Sequence, residues 1–319
     1  MAVHILIYIL SFIGIWVGSG FVIKAVERMS SSFKISSFIV SFLVLGAFTS
    51  VSEFSVGLNS VMENDPEIFV GNLIGASMIL FMLLIPIIAI FGKSIRISAE
   101  LQGFNLPASL VTIALPAIMV MDGVVSKFDG ILSLIIFGFL VVGVQSKDKV
   151  IEHIEKVKDK YKVGIGKSLL RILFGVALIF ISSRFAVEQT HYFSEALNIS
   201  PFLLSLIVVS FGTNLPELSL AARTIFMRNH QIAFGDYVGS AAFNTFIFGL
   251  LTLIYKEKII LTNSYAISLI FLVLALVLFF YFARTKNTIS RIEGLVLFLI
   301  YVGFIYVEYL LHKGIINLW

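Results

Sequence analysis

The chain has 319 residues, of which 59% are hydrophobic and only 13% charged, with 23 Lys and Arg set against 19 Asp and Glu. Soluble globular domains are not this apolar, and the absence of cysteine excludes disulfides, thiolate metal sites and thiol catalysis. The formal charge of +4 sits in loops between apolar runs, which excludes a nucleic-acid surface, and the histidines (His4, His153, His191, His230 and His312) show no metal-ligand spacing.

A helix that crosses a bilayer needs about 20 mostly apolar residues. Ten segments answer to that ruler, near 2–26, 36–62, 67–91, 101–121, 128–145, 167–192, 200–227, 231–255, 261–283 and 291–311. The first lacks a basic leader and a cleavage pattern and continues to Glu27, so it reads as a spanning helix. The expected fold is therefore an all-α integral membrane protein. Five spans lie in 1–146 and five in 167–319, joined by a linker over 147–166. An odd number of spans per half makes the second half enter from the opposite side, giving two inverted five-helix repeats.

The linker alternates Lys with Asp and Glu, and Val150, Ile151, Ile154 and Val157 recur at helical spacing. That pattern fits a short amphipathic helix on the inner surface as well as a solvated connector. Loop charge sets the orientation. With the amino terminus outside and the central basic loop cytoplasmic, 18 of the 23 Lys and Arg fall on the inner side, as expected for a multi-pass protein of the cell membrane.

Two polar stretches interrupt the apolar runs. The second span carries Gly46, Thr49, Ser50, Ser52 and Glu53, and the seventh carries Ser210, Gly212, Thr213, Asn214, Pro216 and Glu217. An offset of 164 aligns Thr49 with Thr213, Glu53 with Glu217, Gly71 with Gly235 and Gly75 with Gly239 without a gap, the mark of an internal duplication. A carboxylate is costly in hydrocarbon, so a duplicated one predicts a functional pair that shares a cation. Pro216 has no amide hydrogen and frees the carbonyls near Gly212 and Thr213. Freed carbonyls beside carboxylates suit a hard cation such as Ca²⁺ or Na⁺, and no nitrogen or sulfur ligand is near enough to favour zinc, copper or iron.

The third and eighth spans open with Gly71-Asn-Leu-Ile-Gly-Ala76 and Gly235-Asp-Tyr-Val-Gly-Ser240. Glycines four apart predict a smooth ridge for close helix packing. Asn72 and Asp236 fall in the first turn, where short polar side chains cap free amides. Ser240 and Asn244, one turn apart, can face one site.

These residues resemble the calcium/cation antiporter superfamily, typified by sodium/calcium exchangers. Its members have ten helices in two inverted halves, each with a Gly-Thr-Ser-x-Pro-Glu core followed by Gly-Asn-x-x-Gly-Ser and an Asn or Asp four residues on. The second copy fits closely, with Asn214 in place of Ser and Asp236 in place of Asn. In the first copy Thr49, Ser50, Glu53, Gly71, Asn72 and Gly75 stand in place, while Phe48, Ser52, Ala76 and Leu80 depart from the pattern. By this resemblance Glu53 and Glu217 hold the cation with the Thr49 and Thr213 carbonyls, Ser240 and Asn244 help form adjacent ion sites, and Ser50, Asn214, Asn72 and Asp236 complete the candidate ion-site residues. Ala76 and Leu80 bring no side-chain oxygen, which predicts weaker auxiliary sodium sites than calcium site. Ser77 lies about 100° away around the helix and is no automatic substitute for the missing serine.

The resemblance implies a secondary antiporter that exchanges Ca²⁺ or a related divalent cation for Na⁺. Protons stand as the alternative counter-ion, and a cation-binding homologue that does not transport is a further reading. No resident cofactor and no obligatory protein partner are expected. An enzyme using the two glutamates as acid and base is disfavoured, because no nucleophile, metal triad or phosphate-binding loop accompanies them.

Overall fold

The computed structural model describes residues 1–30, 40–92, 94–97, 101–145, 165–227, 230–261 and 266–312. Nearly all of the linker 147–166, with the surface helix considered there, lies outside the described residues, and the described chain resumes at Ile165.

Helix α1 covers Ala2–Ser30. A π-helical turn, Val40–Leu45, leads into the single turn α2, Gly46–Thr49, and beyond a break at Ser50 the chain continues as α3, Val51–Met62. Helix α4, Pro66–Ile79, passes through a π-helical stretch, Leu80–Leu84, into α5, Ile85–Phe91. Strand β1 (Ile95–Arg96), helix α6 (Asn105–Met119), strand β2 (Val124–Val125) and helix α7 (Lys127–Gln145) complete the first half.

The second half runs through the same series. It begins with α8 (Ile165–Leu197), α9 (Pro201–Leu204), the π-helical turn Ser205–Val209 and α10 (Ser210–Thr213). A break at Asn214 separates these from α11 (Leu215–Met227), which is followed by α12 (His230–Ile254). Strand β3 (Ile259–Ile260), α13 (Ala266–Lys286), β4 (Thr288–Ile289) and α14 (Arg291–His312) close the chain. The offset of 164 carries the first residue of α2, α3, α4 and α7 onto the first residue of α10, α11, α12 and α14.

Among the described residues, seven helices are long and apolar enough to cross a membrane, or nine if two bent pairs each count as one span. The bends are 41° between the segments ending at Thr49 and starting at Val51, and 45° between those ending at Thr213 and starting at Leu215. The tenth expected segment, 101–121, forms α6. A 15-residue helix is about 22 Å long, against a hydrocarbon core of about 30 Å.

Local chemistry accounts for several helix starts. Pro66 and Pro201 occupy the first turn, where the missing amide hydrogen is harmless. The Ser200 hydroxyl accepts from the Leu203 amide at 3.1 Å as an N-cap.

Packing sets the first helices of the two halves against each other. His4 Nδ1 lies 2.8 Å from Gln189 Oε1 near one end of α1, and Phe21 meets Phe174 edge-on at 5.4 Å near the other, so α1 and α8 are antiparallel. The short strands agree. Pairing is β1 with β4 and β2 with β3, and the register Ile95↔Ile289 maps under the 164-residue offset onto Val125↔Ile259.

Helix α4 is buried at every residue, and α12 beside it is buried from Ala233 through Ala242. The bent pairs lock onto these central helices through close backbone approach. A Cβ on Gly75 would collide with the Leu206 carbonyl, and one on Gly239 with the Phe42 carbonyl, which is again the same contact displaced by 164 residues. Such approach matters because lipid supplies little hydrophobic drive for helices to associate. A single buried apolar cluster reaches from Val22 to Phe304 and draws on both halves. Large apolar side chains such as Leu10, Phe128, Phe139, Leu173, Ile292 and Leu299 are exposed on the outer helices, as a lipid-facing surface requires.

Candidate functional site

The two helix breaks face each other across the centre of the molecule. At each, a residue with ψ near zero ends one helical segment: Ser50 at φ −70°, ψ 3° and Asn214 at φ −89°, ψ 11°. The Ser50 hydroxyl and the Asn214 amide each donate to a carbonyl one turn back, Gly46 and Ser210, both at 2.8 Å. Glu53 and Glu217 then fall in the first turn of α3 and α11. That position favours a negative charge, because the free amides of a helix start point toward it.

All ten residues singled out in the sequence are at most 1% exposed: Thr49, Ser50, Glu53, Asn72, Thr213, Asn214, Glu217, Asp236, Ser240 and Asn244. Most of them meet across the two halves. The Thr49 hydroxyl donates to Asp236 Oδ1 at 3.1 Å, and the Thr213 hydroxyl donates to Asn72 Oδ1 at 3.2 Å, a pair of contacts related by the repeat. The Ser50 and Ser240 hydroxyls lie 3.0 Å apart. Asn214 Nδ2 donates to Glu53 Oε1 at 3.4 Å. Asn72 and Asp236 thus accept from the threonine hydroxyls; α4 and α12 start six residues earlier, at Pro66 and His230, so neither residue lies in the first turn where a cap was expected. Asn244 turns toward Ser77, donating at 3.4 Å to its hydroxyl.

The two glutamates differ in their surroundings. Glu53 receives the Asn214 amide on one oxygen and the Ser52 hydroxyl on the other, at 2.9 Å. Neither oxygen of Glu217 has a hydrogen-bond partner, while its backbone carbonyl accepts the Tyr237 hydroxyl at 2.7 Å. Asn214 Oδ1 and Asn244 Oδ1 are likewise buried without a partner. Among the described residues, no Lys, Arg or His pairs with Glu53 or Glu217. A buried carboxylate with neither donor nor counter-charge is strongly disfavoured, so this layer of oxygens calls for a bound cation or a proton.

Among the described residues no group of three or more His, Cys, Asp or Glu side chains is arranged to hold a metal ion. A cation here therefore relies on hydroxyl, amide and backbone oxygens beside the glutamates, a donor set suited to hard ions.

Two residues of the site were not selected from the sequence. Ser52 reads there as a lost proline, yet its hydroxyl lies between the halves, 2.9 Å from the Thr49 carbonyl and 3.3 Å from the Thr213 carbonyl. Ser77 reads as rotated away, yet it is buried and meets Asn244. A π-helical stretch begins three residues beyond it, at Leu80, and has no counterpart at Asn244 within α12. The sequence signal for Ser77 is a hydroxyl in an otherwise apolar run, and for Ser52 a hydroxyl beside the glutamate in the polar stretch.

A family model described as sodium/calcium exchanger protein matches residues 3–144 and 167–310. An uncharacterized membrane protein of Methanocaldococcus jannaschii is 25% identical over 233 residues, covering 73% of this chain and 76% of that one. Sodium/calcium exchanger MaX1 of Methanosarcina acetivorans is 29% identical over 150 residues, 47% of this chain and 43% of that protein. Among solved structures, the sodium-calcium exchanger NCX_Mj soaked with Na⁺ and Sr²⁺ superposes with a TM-score of 0.70 at 23% identity, over 95% of this chain and 97% of that one. At that identity the likeness speaks for the fold.

Proposed function

The chain belongs to the sodium/calcium exchanger family, and on that premise we propose that it is a secondary antiporter exchanging Ca²⁺, or a related divalent cation, for Na⁺ across the cell membrane. In this reading the helices form ten spans, with the bent pairs and α6 each counted as one. They make two inverted five-helix halves, 1–146 and 167–319, joined by a cytoplasmic linker at 147–166, with the amino terminus outside.

The observation that carries the proposal is the pair of buried glutamates on helix breaks related by the repeat, one of them with no hydrogen-bond partner on either oxygen. Glu53 and Glu217 take the cation between them, with the Thr49 and Thr213 carbonyls as neutral ligands. Asn72 and Asp236 hold the threonine hydroxyls, which fixes the two breaks relative to the central helices. Ser50, Asn214, Ser240 and Asn244 supply the oxygens of adjacent ion positions. Both cargoes use the same carboxylates, so occupation by one excludes the other. Access alternates as α1 and α8, the long antiparallel pair, move together across the bundle. The two helices cross closely at Gly18, where an added Cβ would stand 2.8 Å from both the Gly175 carbonyl oxygen and the Ile179 side chain.

One observation favours a second counter-ion. Ala76 and Leu80 put carbon where the other half has Ser240 and Asn244, which leaves fewer oxygens for sodium and favours protons. Flux in proteoliposomes separates the readings. An imposed Na⁺ gradient is expected to drive ⁴⁵Ca²⁺ uptake, and Glu53→Gln and Glu217→Gln are expected to abolish it. Uptake driven by a pH gradient alone would transfer the coupling to protons. Cation binding without any flux would identify a homologue that does not transport.

A further inference from the structure

We propose that the Ser52 hydroxyl is an additional ligand of the central cation, found in the first half alone. The inference rests on the reading of the site as a cation site and adds an oxygen to it. Ser52 is fully buried, and its Oγ is the point on which three other oxygens converge. The Thr49 carbonyl and Glu53 Oε2 each lie 2.9 Å from it, and the Thr213 carbonyl lies 3.3 Å from it on the opposite half.

Oxygens that share one cation at about 2.4 Å stand roughly 2.8–3.4 Å from their neighbours in a six- to eight-fold shell. The three separations at Ser52 fall in that interval. A hydroxyl carries one proton and two lone pairs. It therefore satisfies at most one of the three acceptors as a donor. With the proton on the Thr49 carbonyl, the usual back-bond of a helical serine, the lone pairs are left for an ion beside Glu53 and the Thr213 carbonyl.

The internal duplication gives an independent reason. At the equivalent position the second half has Pro216, which carries no oxygen, whereas at Ala76 and Leu80 the first half lacks the oxygens that Ser240 and Asn244 bring. Ser52 thus adds a neutral side-chain oxygen for which the second half has no equivalent. Ser52 places its oxygen on the bent helix beside its own carboxylate, and Ser240 and Asn244 place theirs on the central helix.

The test is equilibrium binding of Ca²⁺ and Cd²⁺ to the purified full-length protein, using Ser52→Ala, Ser52→Thr and Ser52→Cys. Loss of the oxygen in Ser52→Ala should weaken Ca²⁺ about tenfold, and Ser52→Thr should stay close to wild type. Ser52→Cys introduces the single thiol of a chain that otherwise has none, and soft Cd²⁺ favours a thiolate ligand. Its Cd²⁺-to-Ca²⁺ affinity ratio should exceed that of Ser52→Ala by at least about tenfold, a gain that mere loss of packing does not produce. Equal ratios in the Cys and Ala variants, with wild-type Ca²⁺ binding intact and sensitive to Glu53→Gln, would overturn the ligand role of Ser52 and leave the site standing. Failure of the wild-type protein to bind either cation would overturn the cation site and the role of Ser52 together.

Discussion

Glu53 and Glu217 are the same residue of one repeated unit, yet they are held differently. Glu53 accepts the Asn214 amide on one oxygen and has the Ser52 hydroxyl 2.9 Å from the other, so its carboxylate is held in place before any ion arrives. Glu217 has no such partner and depends on the ion itself. Glu217→Gln is therefore expected to lower Ca²⁺ binding by at least about thirtyfold, since losing one partner of a buried charged pair costs about 2–5 kcal/mol. Asn214→Ala removes the 3.4 Å hydrogen bond to Glu53 and the 2.8 Å bond to the Ser210 carbonyl but no charge, and should weaken binding by less than Glu217→Gln, with calorimetric titration as the readout for both. A second prediction concerns the turn between α3 and α4. Asp65 lies 3.2 Å from His191, and burial pushes its carboxyl above the ordinary value while His191 opposes the shift. A raised folded pKa means that the stabilising contribution is complete below the unfolded value of about 3.9 and is lost as pH rises through the folded value. Asp65→Asn should remove that slope. The wild type then loses Tm relative to the variant as pH climbs from the acid side, and parallel curves would contradict the assignment.

The helix breaks show how much of each element the sequence disclosed. Pro216 announces the second break, because it cannot donate to the preceding turn. The first break has no proline and bends almost as much, 41° against 45°. There the Ser52 hydroxyl bonds back to the Thr49 carbonyl, the side-chain competition that bends helices, which a serine in sequence does not announce as a proline does. The glutamate pair was legible because duplication marks it twice. The contacts Thr49–Asp236 and Thr213–Asn72 were not, because they join residues far apart in the chain and depend on how the central helices cross. The π-helical turns at Val40–Leu45 and Ser205–Val209 carry no distinguishing residue types either, although such turns concentrate at functional sites. The glycine ridges were legible, since spacing by four residues on a helix has one evident use. Gly75→Ala would set a Cβ against the backbone carbonyl of Leu206, where nothing flexible can yield, and should cost at least about 1–3 kcal/mol of stability. Gly138→Ala has open space around it and should be neutral or slightly stabilising in the same thermal melts in detergent.

For the molecule as a whole, the antiparallel crossing of α1 and α8 and the matched strand registers are what two oppositely directed copies of one unit produce. Loop charge then sets which side is which, a property no contact within the chain records. The native chain has no cysteine, so single introduced thiols report sidedness directly. Met121→Cys and Glu257→Cys should react with an impermeant maleimide on intact cells, and Phe104→Cys and Lys286→Cys only after permeabilisation. The reverse pattern would invert the orientation, and a mixed pattern within one half would contradict the span assignment. The central claim is that both glutamates share one ion, and anomalous diffraction from crystals soaked in Sr²⁺ tests it most directly. The account predicts a peak between the two carboxylates, about 2.4–2.6 Å from at least one oxygen of each. Strontium bound elsewhere, or bound by one glutamate with the other turned away, would contradict it.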